Sequence, residues 1–186
     1  DLLVSQLYPK LVAHFPLAKL NFVTWGADSI DKLMRGDIDC GVHLQNERFS
    51  KDIYQKTLTV DQIVTAVHKR HEIADWDEIK PLPFVFTDVP GWNEFSYRFQ
   101  EVLPKKHQED ISYGVRVDKL RSALRIAANS KVAIQSPTRY LNDDFSIIAY
   151  PQGVSFDIAY SFYCLQTERH NPLMQILNRL IRECYQ

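Results

Sequence analysis

Residues able to do chemistry are few in this sequence, and they are scattered. His68, Lys69, Arg70 and His71 put two imidazoles three positions apart. At the end of a strand such side chains point away from each other, so the spacing predicts no metal site. Asp37 and Asp39 flank Ile38 and share one face of a strand, where two carboxylates could act as acid and base. A solvated turn running into a strand edge explains them without catalysis, and Asp143 and Asp144 read as loop acids. Cys40, Cys164 and Cys184 are odd in number, far apart and outside any C-x-x-C pair. Each lies on an apolar periodicity, as a small buried hydrophobe does. No G-x-G-x-x-G, P-loop, G-x-S-x-G or H-E-x-x-H is present. Catalysis, a cofactor and a metal are therefore not expected.

More informative are three loops that carry small, hydroxyl and aromatic residues to places where a strand gives way to a helix. They are Thr24 to Ser29, Thr87 to Trp92, and Gln135 to Pro137. Ligands of open parallel sheets bind outside the carboxyl ends of strands, and backbone N–H groups at a helix start hold polar or anionic groups. Ordinary helix capping would explain the same residues, but Trp25 and Trp92 are unusual at strand ends. The candidate binding residues are Trp25, Gly26 and Ser29 with His43 from the following strand, then Thr87, Asp88, Trp92, Gln135, Ser136 and Pro137.

Whatever holds these loops must be a fold with its own core. A chain of 186 residues and 45% hydrophobic composition buries roughly 70% of its unfolded surface without metal or disulfide staples. Twenty-two basic and 23 acidic residues leave a net charge of -1, which argues against these residues gripping phosphate backbones themselves. No apolar run reaches the roughly 18 residues of a membrane span. The start, Asp1 to Ser5, lacks the basic region of a signal peptide. Unpaired cysteine usage fits a reducing, cytoplasmic setting.

Apolar residues at Leu3, Val4, Leu7, Tyr8, Leu11, Val12 and Phe15 predict a core-facing helix closed by Pro16 that either starts near Tyr8 or is kinked at Pro9. A strand is expected at Leu20 to Val23, a short helix through Ile30, Leu33 and Met34 with Asp28 and Ser29 as cap residues and Gly36 as its stop, and a strand from Ile38 to Leu44. Another strand follows at Ile63 to His68, and the charged stretch His71 to Lys80 reads as a linker or boundary. The rhythm then restarts. Strands are expected at Phe84 to Thr87, Ile111 to Val117, Val132 to Gln135, Phe145 to Tyr150 and Phe156 to Gln166. Helices are expected from Trp92 to Leu103, from Leu120 to Ala128 capped by Asp118, briefly at Thr138 to Leu141, and finally after Asn171 and Pro172. This alternation predicts an α/β fold with largely parallel sheets in two lobes.

Four segments, in order and spacing, carry a resemblance. They are L-Y-P-K-L-V-A-H-F-P from Leu7, D-K-L-M-R-G-D-I-D from Asp31, V-T-A-V-H-K-R-H-E-I-A from Val64, and L-R-S-A-L-R-I-A-A-N-S-K-V-A-I-Q-S-P from Leu120. With the closing helix, they resemble the C-terminal effector-binding domain of LysR-type transcriptional regulators over essentially the whole sequence. The resemblance implies a two-lobe fold similar to type 2 periplasmic binding proteins, with the lobes joined by two crossing strands and a small effector in the cleft. Residues 1–67 plus 161–186 would form the first lobe and 68–160 the second. It further implies a bacterial, cytoplasmic homodimer or tetramer, in contact with DNA only through an N-terminal winged helix-turn-helix domain not contained in these residues. The first helix and Trp92 to Leu103 would supply the dimer surface.

Three departures from that pattern matter. The sequence begins with a helix where the family has a preceding strand, so some cleft residues would lie upstream of Asp1. Asn129 and Ser130 stand at a turn where the family favours Gly, which Asn can replace because it tolerates positive φ. Asp88 stands where many relatives place neutral hydroxyls beside an anionic effector, which predicts a neutral, cationic or aromatic ligand here. None of the cysteines falls in the second lobe, where the family's peroxide sensors carry theirs, so thiol sensing is not expected. A solute-binding protein of a transporter and an enzyme on the same fold are the competing readings.

Overall fold

In a computed structural model, which describes residues 2–46, 50–93, 103 and 105–185, the opening periodicity becomes a single helix, α1 (Leu2–His14). It starts well before Tyr8 and includes Pro9. Proline removes one backbone bond, but the stripe Leu3, Leu7, Leu11 still reaches an apolar core, and burial outweighs that loss. Leu20 to Val23 form no strand, and Phe22 and Val23 are exposed. Strand propensity needs a ladder to join, and β1 (Gly41–Leu44) and β7 (Asp157–Leu165) pair with each other instead. The expected strand from Ile38 shortens to β1 for the same reason.

The helix α2 (Ser29–Arg35) ends at Gly36 with φ 76°, where a left-handed residue closes the last turn. Asp28 makes no capping bond; its carboxylate lies 2.8 Å from Lys32 Nζ. The strand β2 runs from Ile53 to His68. Its first half, rich in Gln, Lys and Thr, hid it from hydrophobic patterning. There follow α3 (Trp76–Ile79), β3 (Pro83–Thr87), α4 (Lys105–Gln108), β4 (Ser112–Val117), α5 (Leu120–Asn129), β5 (Ala133–Pro137), β6 (Phe145–Ile148), β7 and α6 (Pro172–Glu183). The expected helix from Trp92 to Leu103 falls mainly outside the described residues. Lys119 rather than Asp118 precedes α5, and Ser130 after it has φ -139°. Asn129 thus needs no positive φ; its amide donates to Arg125 O at 2.8 Å. Asn171 caps α6 as expected, accepting from Leu173 N at 2.9 Å.

Strand order is β1-β7-β2-β5-β3-β4, with β6 also on β2. The strand β3 is parallel to β4 and β5, while β2 is antiparallel to β5 and β6. The sheet is therefore mixed rather than largely parallel, because β2 enters opposite in sense to β5. Chain contacts divide the protein into two compact units, Asp1–Val60 with Ala159–Gln186, and Asp61–Ile158.

In the first unit Leu7 and Leu11 of α1 pack with Phe162 and Cys164 of β7 and Met174, Leu180 and Ile181 of α6. Each such side chain contributes about 2 kcal/mol on leaving water. In the second unit Ala123 and Ala127, fully buried one helical turn apart, let α5 sit close on Val85, Ile134 and Ala66. The charged stretch His71 to Lys80 belongs to this unit rather than linking two. Ile73, Trp76 and Ile79 in it are buried, and Asp75 caps α3 by accepting from Glu78 N at 3.0 Å.

A polar cluster anchors that stretch. Trp76 Nε1 donates to Asp110 Oδ2 at 2.9 Å, His107 Nδ1 lies 2.7 Å from the same oxygen, and Lys80 Nζ lies 3.8 Å away. Burial alone would raise the Asp110 carboxyl, but these bonds and charges outweigh it and hold the group below the ordinary carboxylate range. A depressed carboxyl stabilises the fold above its unfolded pKa and loses that contribution as pH falls through the folded value. Asp110→Asn is therefore expected to cost about 2 kcal/mol in urea denaturation at neutral pH. The gap between variant and parent should narrow as the solution is acidified.

Candidate functional site

In the first unit the loop before α2 is closed on itself. Ser29, 1% exposed, accepts from Gly26 N at 2.8 Å through Oγ, and Ser29 N donates to Gly26 O at 3.1 Å. The Gly26 N–H, expected to be open to a ligand, is used internally. Trp25 is also structural. Its indole stacks on His43 at 5.4 Å, tilts against Tyr163 at 5.3 Å, and packs on the Leu33 cluster. A Cβ placed on Gly41 would stand 2.0 Å from the indole, so glycine there makes room for the ring. His43 lies opposite Ser161 across the β1–β7 ladder, and Ser161 Oγ is buried with no partner among the described residues. Sequence reading missed Tyr163, whose hydroxyl lies 2.8 Å from Leu44 O and 2.5 Å from Gln55 Oε1. An apolar strand gave no sign of that polar anchor.

In the second unit the candidates gather at the carboxyl ends of β3 and β5. The registered pairs are Phe84/Ala133 and Val85/Ile134, just before Phe86 and Thr87 on β3 and Gln135 and Ser136 on β5. Strand alternation then divides the set. Gln135 shares a face with Tyr113, whose hydroxyl donates to Gln135 Oε1 at 3.2 Å, and with Phe86. Thr87 and Ser136 face the α5 side. Gln135 Nε2 and Thr87 Oγ1 are buried with no hydrogen-bond partner among the described residues, whereas Ser136 Oγ donates to Pro137 O at 3.0 Å. Beyond β3, Asn93 is 7% exposed. It accepts from Val89 N at 2.6 Å and donates to Thr87 O at 2.9 Å. That turn seats Trp92, whose ring stacks on Phe156 at 6.0 Å.

Asp88 does not present a free carboxylate. Arg116 of β4 grips it with two nitrogens, Nη2 to Oδ1 at 2.6 Å and Nε to Oδ2 at 2.7 Å, and lies over the Phe86 ring at 4.9 Å. The repulsion expected against an anionic ligand is therefore compensated within the protein. Arg116 could not be found from sequence, because the pairing depends on the β3–β4 register.

His68 and His71 also differ from expectation: a 3-10 turn follows β2 and brings their rings edge to face at 6.3 Å. No group of three potential ligands suited to a metal occurs among the described residues. All three cysteines are free and lie in the first unit. Burial pushes the Cys40 thiol up to about 12 and Cys164 to about 11, away from the thiolate that redox chemistry requires. Among the described residues no helix is long and apolar enough to cross a membrane.

Gly41→Ala is expected to lower stability by about 2 kcal/mol, as overpacked sites do, measured by thermal or urea unfolding. Gly41→Ala combined with Trp25→Phe should recover part of the loss.

No protein-family model matches the sequence, and no curated protein matches it. Solved structures do match. The reduced OxyR regulatory domain from Pseudomonas aeruginosa is similar at TM-score 0.73 and 15% identity, over 98% of this chain and 92% of that one. The effector-binding domain of a BenM variant is similar at TM-score 0.72 and 15% identity, over 98% and 88%. The LysR-family transcriptional regulator CbnR is similar at TM-score 0.65 and 13% identity, and this chain spans 65% of its length. Two α/β units threaded by β2 and β7 thus give this chain the fold of the regulatory domains of LysR-type transcriptional regulators.

Proposed function

We propose that this chain is the effector-sensing domain of a LysR-type transcriptional regulator, one that binds a small molecule and thereby controls DNA binding and transcription. The observation that carries the reading is the likeness, over 98% of the chain, to regulatory and effector-binding domains of such regulators. Gln135 Nε2 and Thr87 Oγ1 support it. Buried donors are almost always satisfied, and a polar ligand group at the carboxyl edge of β3 and β5, where both faces are within reach, would satisfy these. The Asp88–Arg116 pair adds no net charge, so the preferred effector is uncharged or aromatic at the end that meets this edge. Trp25, Gly26, Ser29 and His43 are held by contacts within the first unit. DNA contact belongs to a winged helix-turn-helix domain outside these residues, and the protein works in the cytoplasm.

The regulator would act as a homodimer or tetramer. On α1, Val4, Tyr8 and Val12 are exposed by 37%, 54% and 39% at helical spacing, an apolar stripe suited to a second copy. Tyr8→Glu is expected to shift sedimentation toward monomer with little change in melting temperature.

A thermal-shift screen against a metabolite panel tests the sensing role, because a ligand that binds only the folded state raises the midpoint by mass action. The expected result is a concentration-dependent rise that Gln135→Ala or Thr87→Val reduces by tenfold or more in affinity, a loss of about 1.4 kcal/mol or more. A rise untouched by both substitutions would overturn this site. A monomer that binds a nutrient solute with no effect on any operator would favour a transporter's solute-binding protein.

A further inference from the structure

The first unit holds a cavity of about 500 Å³ between the start of β2, β7, the segment Arg169–His170 and α6, and none of the ten candidate residues lines it. Its floor is apolar core: Phe162 and Met174, 1% and 4% exposed, with Tyr54 beside them. Its rim carries two cations, Lys56 and Arg169, with the His170 imidazole beside them. Neither Lys56 nor Arg169 pairs with a carboxylate among the described residues. Arg169 Nε donates to His170 Nε2 at 2.9 Å, which holds the guanidinium beside the imidazole. One turn beyond Asn178, Arg182 donates to Thr57 O at 3.2 Å, beside Lys56, and its Nε is buried with no partner among the described residues.

Asn178 also lines the cavity, 9% exposed; its amide makes no hydrogen bond to the described residues and stays within reach of solvent, so it is open to a ligand. The volume is that of a small-molecule site, and an apolar floor with a few convergent polar groups is the usual lining of one. Fixed positive charge on the rim favours an anion, and a planar guanidinium suits a carboxylate.

We infer that this cavity is a binding site for a monocarboxylate with an apolar body. The carboxylate would lie among Lys56, Arg169 and His170, and the apolar body would rest on Phe162, Met174 and Tyr54. The Asn178 amide would donate to the carboxylate. The site is separate from the candidate edge of the second unit and does not depend on it.

Octanoate is the probe, with octanamide as its uncharged match, each titrated into isotope-labelled protein and followed by backbone amide NMR. The expected result is saturable shifts at Lys56, Arg169 and Asn178 with octanoate, and affinity weaker by about tenfold or more with octanamide. The double variant Lys56→Glu, Arg169→Glu changes two exposed side chains; it should keep the far-ultraviolet circular dichroism of the parent and lose octanoate binding. Arg169→Lys should retain part of it. The inference is overturned by absence of saturable shifts at these residues, by equal affinity for the amide, or by a folded double variant that binds as the parent does.

Discussion

Backbone N–H and C=O groups cannot leave water unpaired, and in this chain two strands have to meet that demand on behalf of two cores. The strands β2 and β7 each pass from one compact unit into the other. Toward its start β2 buries Ile53 beside Leu33 and Tyr163. Toward its end it buries Ala66 against Val85 and Ile134. The middle, Lys56 to Gln62, is largely exposed. Each unit's sheet is thus incomplete without a strand whose other half belongs elsewhere. Packing elements such as α1, α5 and α6 are placed by those ladders and not the reverse.

This division explains what the sequence could and could not reveal. Elements that bury one clean stripe were legible: α6 with its Asn171 and Pro172 start, α2 with Gly36 at its end, and the short buried strand β3. Alternation failed where a strand has no single buried face. The half of β2 before Ile63 carries Gln55, Lys56 and Thr57 and shows no such alternation. Leu20 to Val23 failed in the opposite sense, with the right residues but no ladder to join. The charge-rich stretch around Trp76 misled because composition does not show that Asp75 caps α3 or that Lys80 meets Asp110. The candidate positions on β3 and β5 followed from strand ends, a local property. The partners that decide their chemistry, Arg116, Asn93 and Tyr113, come from register and turn geometry, which are not.

Charge at the candidate edge illustrates how far a residue's type can differ from its effect. Asp88 alone predicts a field hostile to anions. Paired through two nitrogens of a guanidinium that also lies over Phe86, it becomes a neutral bracket that ties β3 to β4. Trp25 shows the same separation. A tryptophan at a loop suggested a ligand platform, but Gly41 leaves it a seat in the first unit, where its ring is shared between His43 and Tyr163. Large aromatic rings bury much area in a small unit and can fix a loop as firmly as a strand pair does.

The three tryptophans are also unequally divided: Trp25 sits in the first unit, and Trp76 and Trp92 in the second. Intrinsic emission therefore carries a built-in spatial label. A chain keeping only Trp25 would report the melting of one unit by fluorescence, and a chain keeping only Trp76 would report the other. The two optical signals would reveal whether strands common to both cores force them to unfold as one cooperative body or let them part in sequence.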